Sequence, residues 1–529
     1  MLCTLVALVV AFNGRVDAAE RPNIVYFMAD DLGFGDVKCF GGERCRIETP
    51  NFDRLASEGM KFTDAHAVAA VCVPSRMAIM TGRYPWRFGP PEPGGPWGYL
   101  GLRFPIDTFS LGDLMKEAGY QTGYVGKWHL GTRMVTTDGK VQGLTNVDFS
   151  QPLAVGPGDY GFDDSFILPG SLDMYPYVFI RNHQFVGKVT KQRGWSAFNR
   201  VGPTEESFED YKVLRTFTNE FEGFIDRHAQ AAKNGNPFFL YVALTAPHTP
   251  TSPHPDWRGK SDLGLYGDFV MEVDDCLGKL MDVLNKHGLT DDTLLIATSD
   301  HGAASYAGNI AKATVAQYRS MQALGHYSSG PFRGFKFSIY EGGRRVPFIA
   351  RWPGQVPRGT ECDKLVGLQD VFATFAEVSG AALKSDQGMD SRSLISHLQN
   401  PDSSAVRETM IQSSVRSWAV RDGDWKLCFC PGSGCDGTYG NVPRREEAYR
   451  KALEIFGRKT TRADLLRAPF VQLFNLANDP GENENVAEEY PERVQAMVAI
   501  FDREIARSPA GTRRGGLDYL SGVPRFVWE

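Results

Sequence analysis

The sequence predicts an α/β fold: a large mixed, mostly parallel sheet sandwiched by helices, with a smaller C-terminal α+β subdomain on an antiparallel sheet. Three observations predict it. Apolar, β-branched or aromatic runs alternate with helical patterns through residues 19–385, the order that a parallel sheet covered on both faces requires. Four of those runs stop at carboxylates, imidazoles or an amine, as strands do when a ligand site lies beyond their carboxyl ends. The pattern then changes across "DQGMDSRSLISHLQNPDSS" (386–404) into short strand-like pieces and one last helix, which suits an antiparallel sheet.

Taken in order, the apolar run from Leu2 to Phe12 is followed by small residues, with Val16 and Ala18 placed for cleavage after Ala18. The run is too short to span a bilayer, so residues 1–18 read as a secretory signal. "NIVYFMADD" is the first strand, and after a Gly-rich loop "TPNFDRLASEGM" is a helix. "AAVCVPSRMAIMTGRYPWR" sets Cys72 at what reads as the mouth of a second helix. "TFSLGDLMKEAGYQTGYVGKWHLG" reads as helix, turn and strand, and two later segments ending in "FFLYVALTAPH" and "LLIATSDHG" repeat that order. Beyond the connecting segment 386–404, "SWAVRDGDWKLCFC" and "FVQLFNLANDPGE" supply strands and "YPERVQAMVAIFDREIAR" a helix of the subdomain 405–529. "PGSGCDGTYGNVPRREEAYR" between them is polar enough to be an exposed loop.

A chain of 529 residues buries a large core and is long enough for more than one domain. Its net charge of −6 gives no general attraction to phosphate backbones, which argues against a nucleic-acid partner. No second segment is apolar enough to predict a membrane span. The chain contains no Asn-x-Ser/Thr sequon, which together with the signal points to a bacterial protein, secreted or periplasmic. Of nine cysteines, Cys3 falls in the signal, Cys39 and Cys45 are spaced to close a small loop, and Cys276 lies on the apolar stripe of a helix. Cys428, Cys430 and Cys435 crowd together with no histidine at a metal-binding spacing.

The strand ends carry the function. Asp30 and Asp31, Lys127 and His129, His248, and Asp300 and His301 all fall where strands stop. Singly, each has a structural explanation: an Asx turn, a satisfied histidine, a solvated lysine. Together, like charges at one sheet edge require an ion, and three carboxylates suit a hard divalent cation, calcium before magnesium.

These residues carry a resemblance. Cys72-Val73-Pro74-Ser75-Arg76 with "MTGRYP" behind it, "GYVGKWHLG", "APH" at 246–248, "TSDHG" and "FRGFKFSIYEGGRRVPFIARWPG" resemble the hallmarks of type I, formylglycine-dependent sulfatases of the alkaline phosphatase superfamily. The resemblance runs from about Arg21 into the C-terminal subdomain, where "GDWKL" and "LFNLANDPGE" are similar to the family's terminal sheet. It implies an alkaline-phosphatase-like fold and an arylsulfatase-like hydrolase whose Cys72 is converted to formylglycine (3-oxoalanine) by a maturation enzyme.

It further implies roles. A hydrated aldehyde at residue 72 has two hydroxyls, one to attack sulfur and one to expel sulfate, which splits a hard step in two. Arg76 would brace that residue. Asp30, Asp31, Asp300 and His301, with residue 72, would hold the cation, calcium or magnesium. Lys127 and Lys336 would neutralise sulfate oxygens, His129 would act as base, and His248 would protonate the leaving alcohol. His301 stands where many members have Asn, and imidazole is a poorer calcium ligand than an amide oxygen.

For the leaving group the candidate is "PGSLDMYPYVFIRNHQF" (169–185), whose Asp173, Tyr175, Tyr177, Arg181 and His183 suit a sugar ring or, alternatively, pack beneath a loop. Asp173, Arg181 and His326 join Lys127, His248 and Lys336 as candidate substrate-binding residues. The expected substrate is a sulfated carbohydrate. Two rivals remain: a formylglycine-dependent phosphonate or phosphodiester hydrolase, and a sugar-binding relative that has lost catalysis.

Overall fold

The structure is a computed structural model and describes residues 21–194, 199–307, 317–414, 417–430, 433 and 471–508. The signal at 1–18, Cys435 and almost all of the polar loop 431–450 lie outside the described residues. A ten-stranded sheet runs through the main body. Its strands in chain order are β1 (Asn23–Asp30), β2 (Met60–Phe62), β3 (Gln121–Lys127), β4 (Asp164–Leu168), β5 (Ile180–Arg181), β6 (Gln184–Phe185), β7 (Phe238–Pro247), β8 (Thr293–Ser299), β9 (Phe348–Arg351) and β10 (Thr360–Cys362). They lie side by side as β10-β2-β9-β8-β1-β7-β3-β4-β5-β6. The centre, β8-β1-β7-β3-β4, is parallel, whereas β9 joins β8 and β5 joins β4 antiparallel.

The central strands form because their residues are apolar on both faces. Every residue of β1, β7 and β8 is buried, which only a sheet covered on both sides allows. The covering helices are α1 (Pro50–Glu58), α2 (Cys72–Thr81), α3 (Leu111–Glu117), α4 (Val213–Lys233), α5 (Gly264–Lys286) and α6 (Asp370–Ser379). Their ends are set by local chemistry. Ser110 and Asp113 form a reciprocal capping box at α3. The Asp274 carboxylate accepts from the N–H groups of Asn51 and Phe52 at the start of α1. α2 stops at Gly82, which turns left-handed at φ 61° and donates to Ala78 O.

The second sheet has four antiparallel strands, β11 (Thr409–Ser413), β12 (Trp418–Asp422), β13 (Trp425–Cys428) and β14 (Gln472–Asn475), covered by α7 (Pro491–Ala506). Its core is shared with the main body: Val68, Ala78, Tyr84 and Trp86 pack with Trp418, Leu427 and Phe501. Trp86 stacks on Tyr84 at 4.2 Å and meets Trp418 edge-on at 4.6 Å. Buried ion pairs cross the seam, Lys426 to Glu341 (2.9 Å) and Arg421 to Asp64 (3.2 Å).

The cysteine loop expected at 39–45 does not close. Both thiols are free; that of Cys45 turns toward the carbonyls of Asp36 (3.5 Å) and Ile47 (3.3 Å). Cys276 sits in the core of α5, where Thr218 Oγ1 donates to its sulfur at 3.4 Å.

One buried acid on α5 makes stability depend on pH. Glu272 accepts from His254 N–H at 2.8 Å, and burial raises its pKa from 4.5 to about 7. The folded state therefore binds a proton that the unfolded chain has released between those values, and stability falls as pH rises through 7. Glu272→Gln keeps the acceptor without the charge. Thermal melts are expected to show the variant gaining up to about 3 kcal/mol over wild type at pH 8 and little at pH 4.5. The carboxylates held by arginine and lysine act in the opposite direction, but equally in both proteins. An unchanged difference between the two pH values would remove Glu272 as the cause.

Candidate active site

The parallel strands β8, β1, β7 and β3 end side by side, and their last residues converge with the first turn of α2. Asp30 closes β1, and Asp31 follows in the left-handed region at φ 65°. His129, two residues beyond β3, and Phe337, beside Lys336, are left-handed as well, at φ 54° and 73°. Such backbone in non-glycine residues is strained and persists only where surrounding structure fixes it. Gly126 has a steric reason: a Cβ there would lie 1.8 Å from Ala243 O, so β3 pairs with β7 only if this position is glycine.

Cys72 is the first residue of α2 and is 3% exposed. Its Sγ stands 3.2 Å from His301 Nε2 and 3.6 Å from Asp30 Oδ1. One turn on, Arg76 Nε donates to Asp300 Oδ2 (3.0 Å) and Nη1 to Lys127 O (3.0 Å). Lys127 Nζ donates to Asp30 Oδ2 at 2.6 Å, and Lys336 Nζ to both oxygens of Asp31 at 2.8 and 3.0 Å. Three buried carboxylates thus face three buried cations, each pair in direct contact, the arrangement that makes burying charge tolerable.

The imidazoles differ in charge. Burial, with Lys127 and Arg76 adding to it, holds His129 well below the usual histidine range, so it is neutral. Burial and Lys336 do the same to His248, whose Nδ1–H is directed at Thr249 O at 2.6 Å. His301 goes the other way. Burial lowers its pKa, but Asp300, Cys72 and Asp31 outweigh that and raise it to about 9. Asp30 is held well below the carboxylate range by Lys127, with Arg76 adding to it, against the effect of burial.

Two overlapping groups could hold a metal ion. The ligand atoms of Asp30, Cys72, Asp300 and His301 lie within 4.8 Å of one another, as do those of Asp30, Asp31, Cys72 and His248. Convergent carboxylate oxygens fit a hard divalent cation. A third group, Asp64, His66 and Glu341, lies at the seam with the small sheet. Its carboxylates pair with Arg345, Arg421 and Lys426, away from the strand ends that carry Asp30 and Asp300.

Not every sequence candidate reaches this cluster. Arg181 lies on the outer strand β5, where it pairs with Glu220 (2.5 Å) and Asp164 (4.0 Å) and covers the Phe166 ring. His326 is fully buried with its ring between Asp36 Oδ1 (2.9 Å) and Arg46 N–H (3.3 Å). It ties the loop after β1 to the loop carrying Lys336 and faces no open site. Tyr175 and Tyr177 are buried by packing, and His183 bonds Leu153 O. Asp173 alone of the sugar-loop candidates comes near, with Oδ1 3.8 Å from His248 Nδ1. Sequence reasoning missed Arg200 and Trp97, which brace Asp173 and carry no motif.

A buried thiol on a helix N-terminus, an acidic cluster with metal geometry, and two lysines and two histidines around it on an α/β sheet edge define a hydrolase of anionic esters. The chain belongs to the sulfatase family, which it matches across residues 22–381, and is a sulfuric ester hydrolase. It is 31% identical to the N-acetylgalactosamine-6-O-sulfatase of Bacteroides thetaiotaomicron over 94% of this chain and 96% of that protein. It is also 31% identical to the human steryl-sulfatase, over 72% of this chain and 70% of that one. A solved sulfatase structure from the study of glycosaminoglycan metabolism in Bacteroides thetaiotaomicron superimposes with a TM-score of 0.76 at 29% identity, covering 92% of this chain and all of that one.

Proposed function

We propose that this chain is an exported bacterial sulfatase that releases sulfate from sulfated carbohydrates, using a formylglycine made from Cys72 and a divalent cation, calcium or magnesium. The observation that carries the reading is the single contact cluster joining Cys72, Arg76, Lys127, His301 and the three aspartates. Support for a carbohydrate comes from the relative named for an aminosugar sulfate, which this chain matches over nearly its whole length. Support for export rests on the leader at 1–18.

In this reading Asp30, Asp31, Asp300 and His301 would hold the cation. It would supply Lewis acidity to residue 72 and to a sulfate oxygen. Lys127 and Lys336 donate to sulfate oxygens as charge builds there. Neutral His129 accepts a proton, which its depressed pKa permits at any physiological pH. His248 gives one to the leaving alcohol. Since burial and Lys336 keep it neutral in the free protein, the anionic substrate must raise its pKa on binding, as an opposite charge within a few ångströms does.

The first test is peptide mass spectrometry across Cys72, on protein from a host that matures a control sulfatase. A mass matching formylglycine supports the reading; an intact thiol beside a converted control opposes it. Rates on matched aryl sulfate and aryl phosphate esters follow, and a preference for phosphate would favour a phosphonate or phosphodiester hydrolase. Chelation is expected to abolish sulfate release, and added calcium to restore it and raise Tm. Full activity and an unmoved Tm after metal removal would overturn the cation assignment.

A further inference from the structure

Three segments meet beside His248: 96–101, 170–177 and 199–204. Gly98 N–H donates to Tyr175 O at 2.9 Å, and a Cβ at Gly98 would stand 2.7 Å from that same oxygen. Only glycine lets these two backbones approach so closely. Tyr177 Oη donates to Arg200 O at 2.6 Å, locking the third segment to the second. Arg200 Nη1 donates both to Asp173 Oδ2 (2.5 Å) and to Asp173 O (3.0 Å). The guanidinium carbon lies 3.5 Å from the centre of the Trp97 ring, a stacked cation–π contact.

This bracing leaves one atom unused. Asp173 is 3% exposed, and its Oδ1 has no hydrogen-bond partner. His248 Nδ1 is 3.8 Å away, but its hydrogen points to Thr249 O. The other nitrogen of that ring, Nε2, lies 3.8 Å from Asp31, so the free oxygen of Asp173 is one imidazole away from the clustered aspartates. A buried carboxylate oxygen without a donor is costly, and a ligand that supplies one removes the cost.

We propose that Asp173, braced by Arg200 and Trp97, determines leaving-group specificity: its free Oδ1 accepts a hydrogen bond from a hydroxyl or amide N–H on the alcohol, selecting a polyhydroxylated ring over a hydrocarbon. This rests on the sulfatase reading above and adds to it the residues that choose the alcohol. A hydrocarbon alcohol would seal Oδ1 from water with no donor, and sites built around such a hydrogen bond reject analogues that lack it.

The test compares kcat/KM for the best of a panel of monosaccharide sulfates with that for cyclohexyl sulfate. Both leave as poor alkoxides, so a fault in His248 slows both, whereas only the sugar offers a donor. Wild type is expected to prefer the sugar by about 100-fold or more. Asp173→Ala should lower that ratio by about 10- to 100-fold, and Arg200→Met, which leaves the carboxylate unbraced, by less. A ratio unchanged in Asp173→Ala, or a wild type that favours cyclohexyl sulfate, overturns the inference and leaves the sulfatase reading standing. No sulfate release from any ester by wild type with a mature residue 72 overturns both.

Discussion

Cys72→Ala is expected to abolish sulfate release, lowering kcat/KM by about four orders of magnitude or more, if residue 72 is the covalent nucleophile proposed above. The geometry leaves no substitute. Cys72 Sγ faces both Asp30 and His301, while the backbone of α2 holds it at the start of a helix, where negative charge is favoured. The neighbouring Ser75 cannot take over, because its Oγ donates to Asp300 O at 2.5 Å. Cys72→Ser keeps a hydroxyl in nearly the same place and is expected to fail as well, since an ordinary hydroxyl can attack but cannot expel sulfate afterwards. Ion chromatography of released sulfate, with Tm as the control for folding, decides the matter. Substantial turnover by the serine variant would mean that a plain nucleophile suffices and would remove the case for an oxidised cysteine.

The second large effect is expected at Lys336. Its ammonium bridges both oxygens of Asp31, and it is buried on a loop that the small sheet supports. Ile339 and Tyr340 of that loop pack on Ala419, Cys428 and Phe474. Lys336→Ala removes the ammonium proposed to meet the developing sulfate charge and leaves Asp31 facing the imidazoles of His301 at 3.3 Å and His248 at 3.8 Å. A loss of about two orders of magnitude or more in kcat is expected, together with weaker inhibition by inorganic sulfate. Lys336→Arg is not expected to rescue, because a planar fork does not replace a compact ammonium between two carboxylate oxygens. Sulfate inhibition as strong as in wild type would show that Lys336 only supports Asp31.

The central strands were legible because burial on both faces leaves a plain record: unbroken apolar runs such as "IVYFMA" and "FFLYVAL". β2, β9 and β10 left none, being three or four residues long and defined by what they lie beside. The same contrast divides the site. That Asp30, Lys127, His248 and Asp300 gather at one edge was legible because a parallel sheet sends every strand end there. His326 lies close to Lys336 in sequence, yet its ring turns to Asp36 Oδ1, and the other oxygen of that carboxylate accepts from Tyr266 Oη at 2.6 Å. Arg181 stands apart from the cluster because it meets Glu220 on α4.

The sequence by itself determined the fold class and which strands end in charged residues, since periodicity and strand termination are local properties written along the chain. Only the tertiary structure decided which charges pair, that burial depresses the pKa of His129 and His248 whereas neighbouring carboxylates raise that of His301, and that Asp173 meets Arg200 and Trp97. Those depend on burial and on distances between segments far apart in sequence, and neither leaves a pattern in the order of residues.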